Sequence, residues 1–245
     1  MSKENLSLNE TFDLAVQKHQ NNNLQDAQNY YQKVLEIDPN HSQTLNNLGV
    51  IFLGLGENQK AKECFEKAIK NNPNDVSAHN NLGNIFKDLG ENQKAKECYE
   101  KAIEINPNYA IAHYNLGIVF KKLREHQKAK ECYEKAIGID PNYVKAHLNL
   151  GVIFKDLGQY QKAKECYEKA IEIDPNYSDA HYNLGVIFKE LGEHQKAKEC
   201  YEKAIEIDPN YANAHNNLGA LFKELGEHQK AKECYEKAIK INPDL

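Results

Sequence analysis

Arginine is almost absent from this chain: Arg124 is the only one among 31 basic residues. A protein with one guanidinium is poorly equipped for bidentate phosphate recognition. With a net charge of −5, neither nucleic acid nor a membrane surface is favoured as a partner. Long apolar runs are missing too, and nothing approaches the ~18 to 20 residues that a membrane-spanning helix needs. The opening MSKENLSLNE is polar, so no secretory signal is expected. A cytoplasmic, reducing compartment fits these features.

Signatures of catalysis are equally scarce. There is no GxxxxGK, GxSxG or HExxH, and serine occurs only at Ser2, Ser7, Ser42, Ser77 and Ser178. Gly54-Leu55-Gly56 begins like a dinucleotide loop, but no third glycine follows and it closes a helix. The chain is read as having no catalytic residues, no cofactor and no metal, and therefore as no enzyme.

Proline is restricted in a different way. The chain has 7, and each lies 34 residues after the last, from Pro39 to Pro243. Gly49, Gly83, Gly117, Gly151, Gly185 and Gly219 keep the same step. With the proline at position 32, the chain divides into a tail, residues 1–7, and a repeat region, 8–245. Its seven copies are 8–41, 42–75, 76–109, 110–143, 144–177, 178–211 and 212–245. A unit this small cannot bury its own apolar face, so the copies must stack and share a core.

Within the copy 76–109, Leu82, Ile85, Phe86 and Leu89 recur at spacings of 3 and 4 and stop at Gly90, a helix with a glycine end. Ala95, Cys98, Tyr99, Ala102 and Ile103 repeat the pattern up to Asn106-Pro107. The expected fold is therefore all-α, an α-α superhelix or solenoid of seven 34-residue helical hairpins. Residues 1–7 have no periodicity and read as a frayed lead-in. The copy 8–41, with Ala15 in place of the glycine and Asn21-Asn22-Asn23 at its turn, reads as an N-terminal cap.

These residues resemble the tetratricopeptide repeat family. In the copy 178–211 the family pattern is carried by Leu184, Gly185, Phe188, Ala197, Tyr201, Ala204 and Pro209. One departure is systematic, because the family's tryptophan slot holds His79, His113, His147, His181 and His215, with Thr11 and Leu45 in the first two copies. The resemblance implies that the first helices line a concave groove in a right-handed superhelix.

Six cysteines stand in register: Cys64, Cys98, Cys132, Cys166, Cys200 and Cys234. A repeat spreads them along a line instead of converging them on a metal, and successive copies lie beyond disulfide reach, so they are expected to be small core side chains. The slot histidines have no CxxC or HxxxH beside them and are expected at interfaces and the core rim. His126, His194 and His228 occupy hairpin turns where other copies have Asn58, Asn92 and Tyr160.

The candidate binding residues lie on the first helices. On a helical wheel, positions 2, 5, 6, 9, 12 and 13 oppose the apolar positions 7, 10, 11 and 14. Position 6 is asparagine in six consecutive copies, Asn47, Asn81, Asn115, Asn149, Asn183 and Asn217. Position 12 is lysine in five, Lys87, Lys121, Lys155, Lys189 and Lys223. An amide donates and accepts, as a peptide backbone does, so an evenly spaced row suits an extended chain; the structural alternative is a hydrogen bond within each hairpin. The row is similar to one in the repeat domain of O-GlcNAc transferase. The family's carboxylate clamp needs basic residues at positions 2, 5 and 6, where Lys145 alone is basic, and is rejected.

The expected function is a non-enzymatic scaffold that binds a protein or peptide, with acidic segments favoured by the lysines. One alternative is a recognition module of, or beside, an enzyme such as a glycosyltransferase, which a reading frame extending past Leu245 would favour. Another is a structural subunit of a larger assembly. The last helix, with Ala231, Cys234, Tyr235, Ala238 and Ile239, has no following copy to cover it, so self-association through the C-terminal copy is expected.

Overall fold

The computed structural model describes residues 6–244. Among them lie fourteen α-helices, two to each 34-residue copy, and no strand. In order they are α1 (Leu8–Gln20), α2 (Leu24–Ile37), α3 (Ser42–Gly54), α4 (Asn58–Asn71), α5 (Val76–Asp88), α6 (Asn92–Ile105), α7 (Ala110–Lys122), α8 (His126–Ile139), α9 (Val144–Asp156), α10 (Tyr160–Ile173), α11 (Ser178–Glu190), α12 (His194–Ile207), α13 (Ala212–Glu224) and α14 (His228–Ile241). The chain forms two compact units, Met1–Val119 and Phe120–Leu245.

Each hairpin turn is shaped by one residue in the left-handed region. Gly56, Gly90, Gly158, Gly192 and Gly226 have φ between 70° and 79°. At Gly90 the chain closes with Gly90 N–H donating to Lys87 O and Glu91 N–H to Phe86 O, at 3.1 and 2.8 Å. Orphan carbonyls at the end of α5 are thereby satisfied. The same conformation is adopted by Asn22 at φ 57° and by Arg124 at φ 60°, residues that carry a Cβ into a region that suits glycine.

The core repeats a single contact. Ala95, Tyr99 and Ala102 on α6 are all 0% exposed, as are Ala163, Tyr167 and Ala170 on α10. A Cβ added to Gly83 would lie 2.6 Å from the ring of Tyr99, and one on Gly151 2.5 Å from the ring of Tyr167. The glycine of the first helix is therefore the floor on which the tyrosine of the second lies. Around this pair, Leu82, Ile85 and Phe86 fill the remaining space at close-packed density.

Three expectations need correction. Leu89 does not belong to the buried stripe: it is the helix-capping residue where the chain turns outward and is 56% exposed, and Leu55 and Leu225 behave alike. Ser7 is not part of a frayed lead-in. Its hydroxyl accepts from Glu10 N–H while the Glu10 carboxylate accepts from Ser7 N–H, a capping box that starts α1. Hydrogen bonds donated to the Glu10 carboxylate by the Ser7 hydroxyl, at 2.7 Å, and by the Ser7 N–H hold that carboxyl below its usual range. The rest of that tail, residues 1–5, lies outside the described residues. The cysteines, placed on the buried stripe, are only half-buried.

Candidate binding face on the first helices

Asparagines at position 6 were expected to face solvent, and they do not. Asn115 is buried and Asn47, Asn81, Asn149, Asn183 and Asn217 are half-buried. Their amides reach toward the preceding copy. Asn81 Nδ2 donates to Asn46 Oδ1 at 3.1 Å, and Asn115 Nδ2 to Asn80 Oδ1 at 3.0 Å. In the second unit Asn217 Nδ2 donates to the Tyr182 hydroxyl at 3.1 Å. In each case the acceptor stands at position 5 of the previous copy.

The exceptions follow the same logic. Position 5 of the copy before Asn183 is Leu148, which has no acceptor, so Asn183 Nδ2 turns to Asp179 O in its own helix at 2.8 Å. For Asn47 the residue is Phe12, and the amide donates to the Tyr31 hydroxyl instead, at 3.1 Å. Asn149 is likewise engaged. Asn47, Asn81, Asn115 and Asn217 thus staple successive copies together, while Asn183 bonds within its own helix, as the own-hairpin alternative expects.

Lysines at position 12 are also held. Lys189 Nζ lies 2.9 Å from Glu224, and Lys87 Nζ lies 3.6 Å from the adjacent Asp88. Burial pushes the Lys121 ammonium below its usual range, with Asp156 opposing that shift and Lys155 adding to it. Lys87, Lys121, Lys155 and Lys189 are half-buried, and only Lys223 is exposed. Less positive charge is offered to a ligand here than the bare count of lysines implies.

The slot histidines have a structural task. His79 Nε2 lies 3.0 Å from Pro73 O, and His113, His147, His181 and His215 reach the carbonyls of Pro107, Pro141, Pro175 and Pro209 at 2.9 to 3.1 Å. A carbonyl can only accept, so Nε2 carries the proton in each. The tether locks the closing turn of one copy to the first helix of the next. Among the described residues no cluster of His, Cys, Asp or Glu could hold a metal. The thiols stay neutral: burial pushes Cys98 up to about 11 and Cys166 and Cys200 up to about 12.

Sequence reasoning missed three arrangements. Phe86 lies between Lys62 of one copy and Lys94 of its own, each ammonium 5.3 Å from the ring centroid, and Phe188 is flanked in the same way by Lys164 and Lys196. Tyr211, the last residue of its copy, donates from its hydroxyl to Asp179 Oδ1 at 2.6 Å and packs on Tyr182 with centroids 5.0 Å apart. Burial, with Asp179 adding to it, pushes the Tyr211 phenol well above its usual range. The first unit carries an open depression of about 470 Å³ lined by Gln43, Asn46, Asn47, Asn74, Asp75 and Ser77 among others. Only the regular spacing of positions 2, 5 and 34 could have signalled the last two.

No described helix is long and apolar enough to cross a membrane. No curated relative matches the chain. Among solved structures, YrrB, a TPR protein with an unusual peptide-binding site, is 29% identical; the match covers 75% of this chain and 94% of YrrB, with a TM-score of 0.61. MamA is 27% identical over 66% of this chain and 95% of its own, at 0.60. Pseudomonas aeruginosa pilF, at 20% identity, a TM-score of 0.75 and coverage of 82% and 92%, shows the fold alone. The family description "Tetratricopeptide repeat" matches residues 42–75, 110–143, 144–177, 178–211 and 212–245. It also matches 64–97 and, in a further version, 14–41, and a related description, "TPR repeat", matches 83–123. With most of its length matched copy by copy, this chain belongs to the tetratricopeptide repeat family.

Proposed function

We propose that the chain is a non-enzymatic scaffold that binds an extended segment of another protein along the face of its first helices. The observation that carries this reading is the way the position-6 amides are held. The bonds of Asn81, Asn115 and Asn217 each use one donor hydrogen of a group with four hydrogen-bonding sites. The amide is fixed in orientation while a second N–H and the carbonyl oxygen keep capacity for a peptide backbone. A group already immobilised costs less entropy to engage. YrrB, whose peptide-binding site is named for that protein, supports the reading by likeness at 29% identity.

Acidic segments gain only a small, salt-sensitive increment, because Lys87 and Lys189 already face carboxylates. A second surface favours self-association: on α14, Ile239 is 51% exposed and Tyr235 is half-buried, whereas Tyr201 is 0% exposed. A sedimentation coefficient that rises with loading supports it, and a constant one removes it.

The test of the groove is affinity capture from native lysate with the wild-type chain and with Asn115, Asn149 and Asn183 all changed to Ala. Each lost hydrogen bond is worth roughly 0.5 to 1.5 kcal/mol, so a captured partner should bind at least about tenfold more weakly. If the triple variant melts lower but captures the same partners with unchanged affinity, the asparagines are staples only and the proposal fails.

A further inference from the structure

The last position of each copy is aromatic in five of the seven: His41, Tyr109, Tyr143, Tyr177 and Tyr211. Two of these show what the position does. The ring of Tyr211 packs on Tyr182, position 5 of its own copy, while its hydroxyl donates to Asp179 at position 2. The ring of His41 packs on Phe12, again position 5 of its own copy, with centroids 4.9 Å apart. In both copies position 34 folds an aromatic ring back over position 5, and Tyr211 also reaches position 2.

The copy 42–75 breaks this rule. Its last residue is Asp75, and the carboxylate turns away to other work: it accepts from Ala78 N–H at 3.0 Å, capping α5, and from the Ser42 hydroxyl at 3.2 Å. This copy has no ring at position 34 to lay over positions 2 and 5, which are Gln43 and Asn46; Asn72, Asn74 and Asp75 line the space beside them. Gln43 and Asn46 themselves line the depression of about 470 Å³. The cavity lies where the repeat elsewhere places its own ring, and it far exceeds the roughly 30 Å³ share of one water.

We propose that this vacated slot receives a tyrosine side chain from the bound segment. The phenol hydroxyl donates to the Gln43 amide oxygen, which stands where the Asp179 carboxylate stands in the copy 178–211. The ring lies against the Asn46 amide, in the place that Tyr182 and Phe12 hold under their own rings. Amides make up most of the polar lining and Asp75 supplies its charge, so a neutral side chain with a donor fits better than a carboxylate. The inference rests on the groove reading and deepens it, naming the side chain that the first unit selects.

The experiment uses the full chain and N-acetyl-L-tyrosinamide as probe, with the phenylalanine and leucine analogues for comparison. Side-chain amide resonances of Gln43, Asn46 and Asn47 are followed by NMR. Tyrosinamide should shift them saturably, with a dissociation constant on the order of millimolar for so small a ligand. The phenylalanine analogue should bind several-fold more weakly, and the leucine analogue should leave the resonances unmoved. Asp75→Tyr, which restores the residue found in the copies 76–109 through 178–211, should abolish the shifts. No saturable shift in the wild type, or undiminished shifts in Asp75→Tyr, overturns the proposal. If circular dichroism shows that Asp75→Tyr is not folded, Gln43→Leu decides: losing the preference for tyrosinamide over the phenylalanine analogue supports the slot, and keeping it overturns the slot. Capture by the asparagine triple variant is read separately, so failure of the slot and failure of the groove are distinguishable.

Discussion

The first helices of the two compact units rest on the same core pattern and differ at their faces. In the first unit, Gln43, Asn46, Asn80 and Asn81 make an amide-rich, nearly uncharged surface with an open depression. In the second, Asp179, Tyr182 and Tyr211 close the corresponding space with packed rings and a hydrogen bond. Underneath, Tyr99 and Tyr167 are equally buried against Gly83 and Gly151. Packing therefore restricts position 8 to glycine or Ala15, position 20 to alanine, position 24 to tyrosine or Phe65 and position 27 to alanine or Val34, while positions 2, 5 and 34 vary. On the proposed reading, selectivity would be written where the core makes no demand.

The largest expected effect tests the shared core pattern. Tyr99→Ala and Tyr167→Ala each empty a fully buried site and should cost about 3 to 5 kcal/mol. Half-buried Tyr235 should cost less than either. Urea titrations that separate Tyr99→Ala from Tyr167→Ala by more than about 2 kcal/mol would break the claim that the same contact holds each unit together.

Tyr→Phe at the same two sites should separate them. The Tyr99 hydroxyl donates to Asn84 Oδ1 at 2.8 Å, whereas the Tyr167 hydroxyl is buried with no hydrogen-bond partner. Position 9 explains the difference, since it is Asn84 in one copy and Val152 in the other. Tyr99→Phe should destabilise by roughly 0.5 to 1.5 kcal/mol, and Tyr167→Phe should be neutral or stabilising. Equal losses in the two variants would mean that the Tyr167 hydroxyl is satisfied after all.

A third test concerns the copy 110–143. Arg124 sits at φ 60°, where other copies have glycine, and Gly138 lies exposed within α8 with nothing near it. Arg124→Gly and Gly138→Ala should each stabilise by about 1 kcal/mol. Amide exchange in wild type should be faster in α8 than in α10. Equal protection of the two helices would overturn this.

Much of this was legible beforehand. The 34-residue period, the two helices per copy and the glycine turns all follow from local rules acting on adjacent residues. The candidate face was legible as a row of residues but not as a set of contacts. Asn81 lies only about 100° round the helix from Leu82, and the preceding copy packs against that flank as well as the apolar side. That is why Asn81 meets Asn46, 35 residues away, and why solvent exposure at position 6 was misjudged. Leu89 failed for the mirror reason: its spacing is apolar, but it stands where the helix has already ended. The tyrosine fold-back at position 34 depends on a loop returning over a helix, which no helical period encodes.

The smallest expected effect is invisible at neutral pH and concerns the thiols. Cys98 is pushed up to about 11 and Cys166 to about 12 by burial, with neighbouring glutamates Glu97 and Glu165 adding to the shift. Because the thiolate is the nucleophile, Cys166 and Cys200 should react with iodoacetamide more slowly at pH 8 than Cys64 and Cys234, whose shifts are in the same direction but smaller. The linkage has a definite sign. A group whose folded pKa is raised leaves stability untouched below its unfolded value of 9.0. Between that value and about 12 the folded chain holds more protons than the unfolded one, so stability falls as pH rises through the window. Cys166→Ala with Cys200→Ala should flatten that fall while leaving the melting temperature at pH 7 nearly unchanged, since Ala is small enough for the half-buried sites. Melting curves taken at pH 7 and pH 10.5 decide it. An identical alkaline loss in wild type and double variant would show that ionisation elsewhere, with the buried tyrosines first in line, governs the alkaline limit.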